Sequence, residues 1–349
     1  MDTEENRRRL TKVKVVSLLI VVLVITGLFV VLTVLEKRSD SQTLEEASSP
    51  SVEETSEDET AYEDQRGVVY YNGQAYYEKE NLETLLILGT DKTEDTSYAV
   101  GNVNNEQADF IMLVVIDYDS EEIIPIQLNR DTMTEIQILG VGGNETSTFI
   151  GQLALAHTYG SGGSDSCINT KKAVSNLLYG VSIDHYLAMT MEGVALINDA
   201  IGGVTVTVPY DMTNIDSSFV EGEEITLTGE LALKYVRTRQ NVADGTNLAR
   251  LERQRQYMQA FYNTLIEKIS EDSSLFTTIY YQVADYLTTD CTVPKLTELF
   301  ELLAEYGMED FVTTDGENVL GDEYYEFYVD EDALMELVLE VFYEPAEDE

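Results

Sequence analysis

Five arginines fall between residues 235 and 256, in YVRTRQNVADGTNLARLERQRQ: Arg237, Arg239, Arg250, Arg253 and Arg255. From Gly67 to Glu349 the only other arginine is Arg130, in a chain whose formal net charge is -44. Guanidinium groups are planar forks that match phosphate oxygens in bidentate geometry, so gathering them in one place points to a bound phosphate. The alternative is a network of exposed salt bridges with the abundant Asp and Glu, a task lysine performs equally well. A helix is predicted from Thr246 or Asn247 to about Ile269, which puts Arg250 and Arg253 in its first two turns. The positive end of the helix disfavours a cation there by a few tenths of a kcal/mol to about 1 kcal/mol. An anion lying between the terminus and the guanidiniums is attracted by both. Arg250 and Gln254, four residues apart, share a face, whereas Arg255 reads as a bystander.

Carboxylates complete the chemistry. The runs ETLLILGTD (Glu83 to Asp91), DFIMLVVIDY (Asp109 to Tyr118) and EIIPIQLNRD (Glu122 to Asp131) read as buried strands, the last two joined by a tight polar turn into an antiparallel hairpin. With the first strand beside that hairpin, Asp91, Asp109, Arg130 and Asp131 gather at one edge of the sheet. Taken singly, strand-end aspartates serve turns more often than chemistry.

The elements that must hold these residues follow a layered α/β pattern. SGGSDSCINTKKAVSNLLYG predicts a loop entering a helix capped by Ser164, Asp165 or Ser166, with Gly162 and Gly163 as turn glycines. IDHYLAMTM, EGVALINDAIGG and VTVTVPY predict strand, helix and strand, with Gly202 and Gly203 stopping the helix. GELALKYV predicts a helix ending near Val236, and Leu251, Met258, Tyr262, Leu265 and Ile269 form the buried stripe of the next. The chain has no HExxH, no GxSxG and no cysteine-histidine motif, so zinc and serine hydrolase readings lack their parts. His157 and His185, the only histidines, read as structural.

The amino terminus sets the setting. Val15 to Leu35 is an uncharged apolar run long enough to cross about 30 Å of hydrocarbon. It exceeds the usual apolar core of a signal peptide and no small-residue cleavage site follows, so a retained single-pass anchor is expected. Arg7, Arg8, Arg9, Lys12 and Lys14 precede it, which orients residues 1–14 as a cytoplasmic basic tail. Residues 36–66, rich in Ser, Thr, Glu and Asp, read as a disordered acidic linker, and 67–345 as one extracellular globular domain. In that compartment a Cys167–Cys291 bridge is the expectation, with two unpaired buried thiols the alternative. The acidic excess argues against nucleic acid and against an electrostatic grip on anionic lipid; any bound anion needs a local cationic pocket.

The motifs resemble the LytR-CpsA-Psr (LCP) family of membrane-anchored cell-wall enzymes, from roughly Glu83 to Gln259 with a weaker echo in EYYEFYVDEDALMELV. The resemblance implies a layered α-β-α domain around a central mixed sheet. It implies a phosphotransferase that moves a glycopolymer, teichoic-acid-like or capsular, from a polyprenyl pyrophosphate carrier to peptidoglycan. By resemblance, LGTD and ADFIMLV supply Asp91 and Asp109 as Mg²⁺ ligands, Asp91 also being the candidate proton acceptor. NRDT supplies Arg130 as a phosphate ligand with Asp131 beside it, YVRTR supplies Arg237 and Arg239, and ARLERQ supplies Arg250 and Gln254. The family also implies a slot for the polyprenyl tail. Three positions depart from its pattern: Asn129 for the usual proline, Gln107 for a common arginine, and Asn247 for a common aspartate. The rival functions are a non-catalytic envelope regulator that binds polyprenyl phosphates, and a polyprenyl pyrophosphate hydrolase.

Overall fold

Apolar residues run almost unbroken through the three predicted strands because both faces of the sheet they build are covered. In the computed structural model, which describes residues 68–91, 106–140, 143–238, 247–272, 274–321 and 324–346, Leu86, Leu88, Ile111, Leu113, Val115, Ile126 and Leu128 enter one core cluster. Their neighbours Leu85, Met112, Val114, Ile116 and Ile123 enter another. The period of two sends alternate side chains of one strand into two different cores. The basic tail, the Val15–Leu35 run, the linker and Arg239 lie outside the described residues. Among the described residues no helix is long and apolar enough to cross a membrane.

Along the chain the elements are β1 (Val68–Tyr71), β2 (Gln74–Glu78), β3 (Leu82–Asp91), β4 (Gln107–Asp117), β5 (Glu122–Leu128), β6 (Met133–Leu139) and β7 (Glu145–Gln152). There follow α1 (Leu155–Thr158), α2 (Ser164–Leu177), β8 (His185–Thr190), α3 (Met191–Ala200), β9 (Val204–Thr207), β10 (Glu224–Leu227), α4 (Gly229–Arg237) and α5 (Asn247–Glu271). The last are α6 (Leu275–Val283), β11 (Leu287–Thr289), α7 (Val293–Tyr306), β12 (Val312–Thr313), β13 (Gly316–Leu320), β14 (Tyr325–Val329), α8 (Glu331–Phe342) and β15 (Tyr343–Pro345).

The central sheet has six strands in the order β11-β8-β3-β4-β5-β12. It is mixed: β3, β4 and β5 are antiparallel neighbours, while β8 runs parallel to β3 and β12 parallel to β5. The expected hairpin and its partner strand are therefore present. Strand β5 ends at Leu128, three residues before the expected Asp131, because Asn129 to Thr132 form a turn closed by Thr132 N–H on the Asn129 carbonyl. The core on one face includes Ala173 and Val174 of α2 and Leu334 and Val338 of α8; the other face carries Leu299 of α7 with Met258 of α5 packed against it. A third cluster joins α3, α4, α5, β9 and β10.

Helix α2 starts at Ser164 with Gly163 as its N-cap, in place of the expected side-chain cap. Gly163 has φ +56°, a left-handed conformation that a side chain disfavours. Cys167 and Cys291 are both free thiols, so the expected bridge is not formed. Cys167 lies in the core of one sheet face and Cys291 packs against the core of the other.

Candidate functional site

A single end of the central sheet collects the charged residues. Asp91 is the last residue of β3 and pairs in register with Gln107 at the start of β4, two residues before Asp109. The register shifts between Gly89 and Thr90, a bulge that re-aims the strand end carrying Asp91. Arg237, the last residue of α4, donates from Nη2 to both Asp91 oxygens at 2.7 Å. A cation at a helix carboxyl end is favoured by the dipole, and this pair stays open to solvent: the side chains are 43% and 32% exposed.

Arg130 stands on the turn after β5. Its Nη1 donates to Asp109 Oδ1, its Nη2 to Gln107 Oε1 at 2.5 Å, and its Nε lies 3.4 Å from Asp131 Oδ1. Gln107 and Asp109, two apart on β4, present both acceptors on one face. Arg250, one turn into α5, approaches the same carboxylate, with Nη1 3.9 Å from Asp109 Oδ1. Its Nε donates to Asn247 Oδ1 at 2.9 Å. Arg130 and Arg250 thus converge on Asp109 beside the Arg237–Asp91 pair, and the described arginines of the predicted phosphate set meet at one edge.

Asp131, expected to line the site, is instead fully buried. It acts through others: Oδ1 faces Arg130 Nε and accepts from Gln152 Nε2 at 3.1 Å. Gln152 also donates to the Tyr325 carbonyl at 2.7 Å, and Phe327 N–H donates to the Asp131 carbonyl, so β14 clamps the turn that carries Arg130. Nothing in the sequence near Gln152 marks it for this role; only folding brings β7 to the turn.

Arg253, placed by sequence among the anion-facing arginines, is not one of them. It is 1% exposed and donates to the carbonyls of Tyr235, Thr238 and Ala249 and to the Tyr210 hydroxyl. It ties the end of α4 to α5, satisfying carbonyls a helix terminus leaves unpaired. Gln254 is 4% exposed and donates from Nε2 to the Val236 carbonyl at 3.3 Å. Arg255, the expected bystander, lines a separate cleft.

Beside the charged edge lies an apolar slot of about 310 Å³ between the sheet and helices α3, α5, α6 and α7. Its lining includes Phe110, Met191, Tyr257, Met258, Phe261 and Leu265. Met258 and Leu265, expected as buried stripe, thus wall a cavity, joined by Tyr257 and Phe261. Gly89, Val236 and Gln254 also line it, and these lie within four residues of Asp91, Arg237 and Arg250 respectively, so the slot abuts the charged cluster. A Cβ on Gly89 would sit 3.0 Å from Phe110 Cβ and 3.6 Å from Met191 Cε, so glycine keeps this wall open.

Asp91 and Asp109 are the carboxylates at this edge that could hold a hard divalent ion, and here Arg237 and Arg130 engage them. Mg²⁺ is commonly held by one or two carboxylates, its remaining positions taken by water and phosphate, and Asp91 and Asp109 offer that number at one sheet end.

His157 is buried, with Nδ1 3.2 Å from the Glu106 carbonyl, and burial holds its pKa below the ordinary 6.5. His185 opens β8, at the far end of the sheet from Asp91, between Glu83 (3.3 Å) and Asp290 (3.6 Å). Folding places Cys291 beside it, so that one ligand atom each from His185, Asp290 and Cys291 lies within 4.8 Å of the others, a grouping sequence spacing could not reveal. Neither histidine joins the arginine cluster.

With this geometry in place, similarity decides the family. The LytR-CpsA-Psr family model matches residues 41–340. The chain belongs to the LytR-CpsA-Psr family. It is 30% identical over 218 residues to the polyisoprenyl-teichoic acid–peptidoglycan teichoic acid transferase TagU of Halalkalibacterium halodurans, covering 62% of this chain and 63% of that protein. It is 30% identical over 197 residues to the Bacillus cereus TagU, covering 56% of each. The matches thus span about three fifths of these relatives. Among solved LCP structures, B. subtilis TagV superposes with a TM-score of 0.56 at 22% identity, covering 75% of this chain and 97% of that one. A Streptococcus agalactiae protein superposes with a TM-score of 0.61 at 19% identity, covering 75% and 86%. These likenesses carry the fold: a mixed α/β LCP domain around a central mixed sheet.

Proposed function

We propose that the chain is a membrane-anchored phosphotransferase that moves a teichoic-acid-like or capsular glycopolymer from a polyprenyl pyrophosphate carrier to a peptidoglycan hydroxyl. The observation that carries this reading is the meeting of Arg130, Arg237 and Arg250 with two carboxylates at the edge of an apolar slot. A diphosphate ester with a long hydrocarbon tail needs both environments side by side. The TagU relatives, named as teichoic acid transferases to peptidoglycan, support the same class of reaction.

In this reading the slot takes the polyprenyl chain, and the arginines bind the diphosphate oxygens. The acceptor hydroxyl attacks the phosphorus that carries the glycan. The bond from that phosphorus to the bridging oxygen breaks, polyprenyl monophosphate leaves, and a phosphodiester joins glycan to acceptor. Asp91, at the open end of the cluster, takes the hydroxyl proton. Charge on the equatorial oxygens is met by guanidiniums already in place, which is where most catalytic stabilisation of phosphoryl transfer arises. Mg²⁺ held by Asp91 and Asp109 would neutralise diphosphate charge that those carboxylates otherwise repel. Asp131 and Gln152 fix Arg130. The Val15–Leu35 run anchors the domain on the outer side of the membrane, facing the wall.

The test is to supply the purified full-length chain in detergent with a polyprenyl-pyrophosphate-linked glycan and peptidoglycan fragments, with and without Mg²⁺. A metal-dependent phosphodiester product is expected. Release of free phosphorylated glycan would replace the transferase by a hydrolase, and donor binding without turnover would replace it by a receptor.

A further inference from the structure

Apart from the slot, a second cleft of about 540 Å³ opens between α5, the β5–β12 edge and β14. Its chemistry differs from that of the slot. Gln127, Asn129, Thr313, Glu252 and Arg255 contribute polar groups, and Leu248, 47% exposed, contributes an apolar surface.

Gln127 is the anomaly. Ile126 and Leu128 on either side of it enter the core, so the alternation of the strand presents Gln127 on the other face, toward α5. It is 1% exposed, yet neither Oε1 nor Nε2 has a hydrogen-bond partner. Asn129, 3% exposed, adds a second unpaired donor: its Oδ1 accepts from Asn247 and from Asp131 N–H, while Nδ2 has no partner. Buried amides are almost always paired, and an apolar residue would fill this strand position without the loss. Such unpaired groups lining a cleft ask for a ligand that supplies both donors and acceptors. An anion supplies only acceptors, and a hydrocarbon supplies neither.

We infer that this cleft is a carbohydrate subsite, in which the Gln127 amide takes two neighbouring hydroxyls of an uncharged pyranose, one donating to Oε1 and one accepting from Nε2. Asn129 Nδ2 adds a further donor, and the apolar wall at Leu248 covers the C–H face of the ring, the mixture of apolar lining and few placed polar groups typical of small-ligand sites. The side chain of Asn129 links this cleft through Asn247 to Arg250, so a sugar bound here borders the phosphate cluster. The inference rests on the transferase reading in assigning that sugar to the acceptor glycan; binding itself does not depend on it.

The probe is chitotetraose, titrated into the full-length chain in detergent without donor or Mg²⁺ and followed by saturation-transfer NMR. Wild type should bind it, and Gln127→Met should weaken binding at least tenfold while melting no lower than wild type, because an unpaired buried amide has been removed. In the transfer assay the same variant should raise the acceptor KM at least tenfold with donor affinity held. Thr313→Val provides a second variant, expected to weaken chitotetraose binding severalfold. No binding by wild type, equal binding by Gln127→Met, or a loss confined to donor affinity would overturn the inference. If chitotetraose binds in a Gln127-dependent way but no transfer occurs under any condition, the subsite stands and the transferase reading falls.

Discussion

Asn247 donates its side-chain N–H to Asn129 Oδ1 at 2.5 Å, and these are two of the three positions read from the sequence as departures from the LCP pattern. The two departures are one arrangement. Asn129 also takes the Asp131 N–H, and Asn247 also takes the Arg250 Nε, so the pair connects the turn carrying Arg130 with the helix carrying Arg250. A proline at 129 has no side-chain acceptor, and an aspartate at 247 has no N–H to give. The third departure is of the same kind: Gln107 accepts from Arg130 where an arginine would repel it.

The two asparagines should therefore be energetically coupled. Asn129→Pro and Asn247→Asp are each expected to destabilise, and the double variant to lose less than the sum, with a coupling of about 0.5–3 kcal/mol. Denaturant titration of the four proteins measures it. Additivity within about 0.5 kcal/mol would show that the contact holds nothing.

Arginines of this cluster should separate into two phenotypes. Arg130→Ala and Arg237→Ala should cut transfer by about 100- to 1000-fold, the scale of losing one fixed oxyanion donor. Arg253→Met should instead cost about 3 kcal/mol or more, as charged hydrogen bonds to buried carbonyls are lost, with turnover per folded molecule near wild type. Circular dichroism melts beside transfer rates distinguish these results; near-wild-type transfer by Arg130→Ala would remove it from the site.

Stability should fall on mild acidification through His157. Burial depresses its folded pKa below 6.5, so the folded state keeps the ring neutral while the unfolded chain takes up a proton. The stabilisation is present above the unfolded value and is lost as pH falls from about 6.5 toward the folded pKa. Melting temperatures of wild type and His157→Gln between pH 7.5 and 5 should converge as the medium acidifies. Parallel curves would mean that His157 does not titrate differently on unfolding.

Thiol chemistry tests the unpaired cysteines. Burial pushes Cys167 up to about 12, and the side chain lies in the core, whereas Cys291 is only partly buried. A thiol reagent should modify one cysteine in the native protein, abolished by Cys291→Ser, and a second only after denaturation. Two unreactive cysteines under denaturing, non-reducing conditions would restore the bridge.

The sequence alone determined the strand that ends in Asp91, the strand that carries Asp109 near its start and the strand that leads into the Arg130 turn, together with the α4–α5 pair and the family, because periodicity and strand-end chemistry are local and survive in the order of residues. That Asp91, Asp109 and Arg130 share one edge also followed, since an antiparallel hairpin fixes which ends meet. Tertiary structure decided which arginine does what. Arg250 and Arg253 look alike on a helical pattern, yet three residues rotate the second onto the carbonyls of α4 and leave the first facing Asp109. It also decided that Met258 and Leu265 line a slot, that Asp131 is buried behind Arg130, and that Gln127 faces a polar cleft. Those outcomes depend on which surfaces meet across distant segments, and spacing along the chain does not encode that.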